Sequence, residues 1–165
     1  MQPTLKGHTV PLKGHFPETG TTAKAATLTT AQLEDKTLDS FSGWRVLNIF
    51  PSIDTPTCAA SVRRFNELAA KHPECSVLCI SADLPFAQQR FCGAEGLERV
   101  HTLSCFRHPE FGADYGVEIA GGPLQGLLAR AVIVLDPQGK IVHSEMVARI
   151  EDEPNYEAAL AHLPH

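Results

Sequence analysis

Short apolar runs, separated by segments of helical pattern, constrain the fold of this chain more than any other feature. Residues 45–51, 76–81 and 131–135 are almost continuously apolar, which is typical of strands buried on both faces of a sheet. Segments with a helical stripe follow the first two runs. Strands that alternate with helices indicate a sheet with a parallel portion.

Two helices that follow these strands have recognisable start signals. Pro56 opens the first helix, which we predict from about residue 57 to Lys71. Asp83 and Pro85 are typical of the cap and first turn of a shorter helix over residues 86–91, which Gly93 is placed to terminate. The remaining predicted elements are a strand at 100–103, a helix at 110–115, a turn at 136–139, a strand at 140–146 and a helix at 155–163.

The N-terminal part of the chain is rich in Thr, Gly, Pro and Lys and predicts small β elements. We expect a short hairpin within residues 6–15 and a strand pair within 26–38. The element order predicts an α/β thioredoxin-like fold, in which a central mixed sheet is flanked by helices, with an N-terminal β-hairpin extension. We expect a single domain over residues 1–165, with the extension at about 1–40 and the core at about 45–165.

Charge and hydropathy exclude several classes of function. The 165 residues include 14 basic and 19 acidic side chains, a net charge of −5, whereas nucleic-acid binding requires a basic surface. No apolar run approaches the roughly 18 residues of a membrane span, so we expect no membrane partner. The first residues lack the apolar region of a secretory signal, which predicts a cytoplasmic protein.

Of the five cysteines, Cys58 has the most informative position. It follows the buried strand at 45–51 and falls in the first turn of the predicted helix, behind Thr55 as N-cap and Pro56 as first helical residue. Free amide groups and the positive end of the helix dipole favour the thiolate there, and the thiolate is the reactive form of cysteine. Position alone leaves an inert buried cysteine as an equal alternative.

The segments around Cys58 and Cys92 resemble a known family. Residues 50–63 (FPSIDTPTCAASVR) carry the pattern P-x-x-x-T-x-x-C, and residues 78–97 (LCISADLPFAQQRFCGAEGL) look like a second signature. Together they resemble the bacterial thiol peroxidase subgroup of the atypical two-cysteine peroxiredoxins, and the resemblance runs nearly end to end.

This resemblance implies a thiol-specific peroxidase that reduces hydrogen peroxide and organic hydroperoxides. Cys58 would attack the peroxide and become a sulfenic acid, Cys92 would resolve it as an intramolecular disulfide, and thioredoxin would recycle both thiols. Thr55 would orient the peroxide, Pro51 would shield the thiolate, and Arg130 would stabilise its charge. The resemblance also implies a homodimer and no metal or organic cofactor.

The predicted helices place the two principal cysteines apart. Cys92 lies six to eight residues into its helix, about 9–12 Å along the axis, whereas a disulfide needs Cα atoms within about 7 Å. We therefore expect Cys58 and Cys92 not to touch in the folded, reduced protein, so that the helix ends must unwind before they bond. Cys75, Cys79 and Cys105 match no catalytic position and are interpreted as bystanders.

Three other functions compete with this interpretation. A thioredoxin-class disulfide oxidoreductase normally carries C-x-x-C at the helix start, but Thr55 and Ser61 stand where a second cysteine would be. A zinc module lacks its usual spacing, because the sequence contains neither C-x-x-C nor H-E-x-x-H. A redox-sensing or non-catalytic interaction domain on the same fold is left open by the sequence.

Overall fold

The computed structural model describes residues 2–164, and a seven-stranded mixed sheet forms its centre. In chain order the strands are β1 (Thr4–Leu5), β2 (His8–Thr9), β3 (Leu12–Lys13), β4 (Thr27–Thr30), β5 (Asp35–Thr37), β6 (Trp44–Ile49), β7 (Cys75–Ser81), β8 (Val100–Ser104), β9 (Glu118–Ile119), β10 (Ala131–Leu135) and β11 (Ile141–Met146). The helices are α1 (Pro56–Lys71), α2 (Pro85–Glu95), α3 (Glu110–Asp114) and α4 (Tyr156–Leu160), with a 3₁₀ turn at Leu38–Ser40.

The central sheet has the strand order β11-β10-β6-β7-β8-β4-β5. Strands β6, β7 and β8 are parallel, whereas β10 and β4 run antiparallel to their neighbours on either side. The predicted mixed sheet is therefore confirmed. Since β6 and β7 run in the same direction, helices α1 and α2 both start at the same edge of the sheet.

Two apolar clusters cover the two faces of the sheet. Alternate residues of β6 point to opposite faces, so that Leu47 and Ile49 join one cluster and Val46 joins the other. The first cluster lies under α3, which contributes Phe111. The second is covered by α1 and α4, and Cys58 and Cys92 both pack in it.

Most predicted elements are present, with shifted ends. Helix α1 begins at Pro56 with Thr55 as its N-cap, as predicted. Helix α2 is longer than predicted, because Gly93 continues the helix and Gly96, in a left-handed conformation at φ 66°, ends it. Helix α4 is shorter than the predicted 155–163, since Asn155 is its N-cap rather than a helical residue.

The N-terminal β elements are present but are arranged differently from the prediction. The hairpin is formed by β1 and β2, because Lys6 and Gly7 take the positive φ angles of a tight turn. Strand β3 pairs with β9 instead of closing that hairpin. The strand pair expected within residues 26–38 consists of β4 and β5, and it forms one edge of the central sheet. The division into a single domain over residues 1–165 stays a prediction.

Candidate active site at the start of α1

Cys58 lies in the first turn of α1 and is completely buried. Its backbone N–H donates to Thr55 Oγ1 at 3.4 Å, while the Thr55 hydroxyl donates to the carbonyl of Ser52 at 3.0 Å. Thr55 therefore caps the helix and also ties it to the preceding loop. A cap of this kind stabilises a helix by about 1 kcal/mol, so Cys58 lies in a well-defined first helical turn.

The loop between β6 and α1 is held by a carboxylate from the neighbouring strand end. The Asp83 carboxylate accepts hydrogen bonds from Ser52 Oγ at 2.8 Å, the Ile53 N–H at 2.7 Å and Ser81 Oγ at 2.7 Å. The prediction that Asp83 caps α2 is wrong, because Leu84 is the N-cap and no side chain bonds there. Pro51 and Ile53, on either side of Ser52, are buried in the same loop.

Arg130 reaches the same corner of the sheet from β10. Ala131 pairs with Ile49, so Arg130 lies across from the end of β6, where the loop to Cys58 begins. The Arg130 side chain is only 2% exposed, and its Nε donates to the Ile150 carbonyl at 2.8 Å. Its Nη1 is buried and has no hydrogen-bond partner among residues 2–164. A buried guanidinium with a free donor favours an anionic group beside it.

One segment of chain, residues 148–151, holds both Arg130 and the turn that carries Cys58. The Ile150 carbonyl accepts from Arg130, and the next carbonyl, of Glu151, accepts from Thr57 Oγ1 at 3.1 Å. The Glu151 carboxylate in turn accepts from the Lys6 N–H at 2.7 Å. The N-terminal hairpin thus supports the segment that aligns the arginine with α1, a role that sequence reasoning missed.

Cys92 is half-buried in the second half of α2 and borders a cavity of about 300 Å³, whose walls include Lys36, Phe41 and His101. Partial burial raises the pKa of the Cys92 thiol. Both Cys92 and Cys58 pack in one apolar cluster, and all five cysteines are free thiols. That the two sulfur atoms do not touch in this state stays a prediction.

The other three cysteines have environments that disfavour reaction. Burial raises the pKa of Cys75 and Cys79 to about 12 and that of Cys105 to about 11. Cys79 is fully buried in β7 and accepts a hydrogen bond from Asn48 Nδ2 at 3.7 Å. These thiols are protonated at neutral pH, which supports the prediction that they are bystanders.

Within residues 2–164, no helix is long and apolar enough to cross a membrane. The same part of the chain contains no group of three or more His, Cys, Asp or Glu side chains that could hold a metal ion.

The sequence and the structure both match known proteins. The family model described as Redoxin matches residues 18–160. A thiol peroxidase of Mycobacterium bovis is 54% identical over 163 residues, which cover 98% of each chain.

Two solved structures are also similar along almost their whole length. A peroxiredoxin-like protein from Aquifex aeolicus is 37% identical with a TM-score of 0.91, over 97% of this chain and 94% of that one. A thiol peroxidase from Chromobacterium violaceum is 26% identical with a TM-score of 0.89, over 95% and 91% of the two chains. With these matches and a cysteine at the start of α1, the chain belongs to the Redoxin family and is a thiol-dependent peroxidase of the peroxiredoxin type.

Proposed function

We propose that Cys58 is the residue that reacts with the peroxide. Its position in the capped first turn of α1, beside the segment that also holds Arg130, is the observation that carries this proposal. The Cys58 thiolate attacks one oxygen of a hydroperoxide and the O–O bond breaks. Cys58 becomes a sulfenic acid, and the other oxygen leaves as an alkoxide or hydroxide that takes up a proton.

Three other residues assist this step, each in a different way. The free Nη1 of Arg130 stabilises the thiolate and the negative charge that develops on the leaving oxygen. The Thr55 hydroxyl is close enough to the Cys58 amide to orient the incoming peroxide. Pro51, buried at the end of β6, keeps water away from the sulfur atom. Hydrogen peroxide and organic hydroperoxides are the proposed substrates, and no metal or organic cofactor takes part.

Cys92 is proposed as the resolving cysteine. Its thiol attacks the sulfenic sulfur, a disulfide forms with Cys58, and the sulfenic oxygen leaves as water. Cys92 is the eighth residue of α2, about 10 Å along the axis from its start, so the helix has to open before the sulfur atoms can meet. This opening exposes Cys92 and removes the burial that raises its pKa.

A dithiol protein of the thioredoxin type is the proposed reductant. Its thiolate attacks the Cys58–Cys92 disulfide, a mixed disulfide forms, and the second thiol of the reductant releases two reduced cysteines. Family membership supports this step, together with the cavity that Cys92 borders. We also propose that the protein forms a homodimer and is located in the cytoplasm.

The decisive experiment uses Cys58→Ser and Cys92→Ser variants, with Cys75→Ser as a matched control. Each reduced protein is treated with one equivalent of hydrogen peroxide and then analysed by intact mass and peptide mapping. We expect no peroxide consumption by Cys58→Ser, and a single reaction that stops at the sulfenic acid or overoxidises in Cys92→Ser. Cys75→Ser should form the Cys58–Cys92 disulfide like the wild type.

Two results would overturn these assignments. Undiminished peroxide turnover by Cys58→Ser would mean that another thiol is the nucleophile. A complete catalytic cycle in Cys92→Ser, with a disulfide between Cys58 and a different cysteine, would remove Cys92 from the mechanism.

A further inference from the structure

Arg63, on the surface of α1, connects this helix to the part of α2 that carries Cys92. Its Nε donates to Glu95 Oε1 at 2.8 Å, and its Nη2 donates to the same oxygen. The guanidinium also lies over the Phe91 ring, 5.5 Å from the ring centroid. Phe91 directly precedes Cys92 and Glu95 follows three residues later, so both contacts flank the cysteine.

These contacts matter because the second half of α2 has few others. The fully buried residues of α2 are Pro85 and Gln88, which both lie in its first half. No side chain caps the start of the helix, and Gly93 lies inside it, where glycine destabilises a helix by about 1 kcal/mol relative to alanine. Phe91 and Cys92 are only partly buried against the core.

We propose that Arg63 is a positioning residue whose contacts with Phe91 and Glu95 hold the Cys92 half of α2 on α1 and thereby limit how often Cys92 is released to meet Cys58. This inference rests on the proposed function, since it takes Cys58 and Cys92 as the pair that forms the disulfide. We call Arg63, Phe91 and Glu95 the α1–α2 clamp.

The clamp sets the balance between two fates of oxidised Cys58. In one, the Cys92 thiol displaces water from the sulfenic acid and the disulfide forms. In the other, a second hydroperoxide transfers an oxygen atom to the sulfenic sulfur, giving a sulfinic acid and one alcohol or water molecule. A tighter clamp delays the first fate and leaves more time for the second, so Arg63 adjusts the sensitivity of the enzyme to overoxidation.

The test compares Arg63→Gln with Arg64→Gln, which is a closely matched control. Arg64 is equally exposed and also contacts a carboxylate and a ring, but its partners are Glu67 on α1 itself and Tyr156 on α4. Disulfide formation is followed by rapid quench and mass spectrometry after one equivalent of hydrogen peroxide. The fraction of sulfinic acid is then measured against peroxide concentration.

We expect Arg63→Gln to accelerate disulfide formation about three- to tenfold, as for the loss of an exposed ion pair with a cation–π contact. The peroxide concentration that overoxidises half of the protein should rise by the same factor. Arg64→Gln should change both quantities by less than about twofold. Exchanging the charges, as Arg63→Glu with Glu95→Arg, should return the rate toward the wild-type value.

The outcomes separate this inference from the function on which it rests. If the Cys58–Cys92 disulfide forms but does so at the same rate in Arg63→Gln and Arg64→Gln, the proposed role of the clamp is wrong and the peroxidase mechanism stands. A charge exchange that restores nothing while Arg63→Gln accelerates the step would also overturn the pairing with Glu95. If peptide maps of the wild type show no Cys58–Cys92 disulfide, the clamp and the assignment of Cys92 as resolving cysteine both fail, whereas the assignment of Cys58 is judged by the Cys58→Ser variant.

Discussion

Helices α1 and α2 have the same place in the architecture but very different support. Both follow a parallel strand of the central sheet and both begin with a proline. Of the sixteen residues of α1, seven are buried, including Val62 and Phe65 in the core. Of the eleven residues of α2, only Pro85 and Gln88 are buried. Helix α1 is therefore part of the core, whereas α2 lies on the surface of the core.

The N-termini of the two helices show the same difference in support. Thr55 caps α1 through its side chain, but α2 has Leu84 as N-cap, with no side-chain bond to its amides. Asp83, which could have capped α2, instead fixes the loop that leads into α1. In the proposed mechanism, this comparison gives Cys58 the fixed environment that reaction with the peroxide needs, and gives Cys92 a helix that can open for disulfide formation.

The largest expected effect tests the fixed environment of Cys58. Arg130→Gln removes the buried guanidinium, and we expect the second-order rate constant for sulfenic acid formation to fall by about a hundredfold, the usual cost of losing a preorganised charged donor. The rate is measured by stopped flow with hydrogen peroxide. Arg107→Gln, an exposed arginine paired with Asp35 at 3.1 Å and outside the segment that holds Arg130, is the control and should react at the wild-type rate. A loss below threefold in Arg130→Gln would separate this arginine from catalysis.

A smaller effect is expected at the cap of α1. Thr55→Val keeps the shape of the side chain but removes the hydroxyl that binds both Cys58 N–H and the Ser52 carbonyl. We expect about 1 kcal/mol less stability in urea denaturation and about tenfold slower reaction with peroxide. Thr55→Ser retains the hydroxyl and should recover most of both losses. Equal rates in the valine and serine variants would reduce Thr55 to a helix cap.

The sequence predicts the central strands and α1 better than it predicts α2. The strands at the centre are apolar over most of their length, so β6, β7 and β10 are found close to the predicted positions. The signals for α1, Thr55 and Pro56, are local in sequence and are confirmed. The end of α2 is not, because either Gly93 or Gly96 could stop a helix and only tertiary structure selects Gly96.

The features that the sequence does not reveal are hydrogen bonds between distant segments. Arg130 is oriented by the carbonyl of Ile150, twenty positions away, and Glu151 binds the Lys6 amide across almost the whole chain. A backbone carbonyl leaves no signature in residue type, so no pattern indicates these contacts. The sequence favours Asp83 as a cap of the adjacent helix α2, because that partner is close along the chain, but its carboxylate binds the β6–α1 loop.

A substitution that destabilises the end of α2 should accelerate disulfide formation, whereas the substitutions at Arg130 and Thr55 slow the reaction with peroxide. Gly96→Ala places a side chain at φ 66°, where an L-residue costs about 1 kcal/mol or more, and we expect disulfide formation about fivefold faster. Gly122→Ala is a matched control, because that glycine also has a positive φ of 83° and open space around it, but lies in a loop away from α2. Equal disulfide rates in these two variants would mean that the end of α2 does not control the opening.

Tightening α2 is expected to give the smallest change, and alkylation of Cys92 can detect it. In a Cys58→Ser background, iodoacetamide should label Cys92 slowly at pH 7 and faster as the pH rises, because partial burial raises the pKa of this thiol and only the thiolate reacts. Gly93→Ala adds a methyl group to a helical position with no atom within 4 Å and should slow labelling about twofold by stabilising α2. Cys75, which lies on β7, supplies the internal control, since its labelling should be the same in both proteins. Disulfide formation is measured separately, with Gly93→Ala in the protein that retains Cys58. If Gly93→Ala slows disulfide formation there but leaves Cys92 labelling unchanged in the Cys58→Ser background, the reagent reaches Cys92 through the adjoining cavity without any opening of the helix. The contrast between α1 and α2 then concerns only the meeting of the two sulfur atoms.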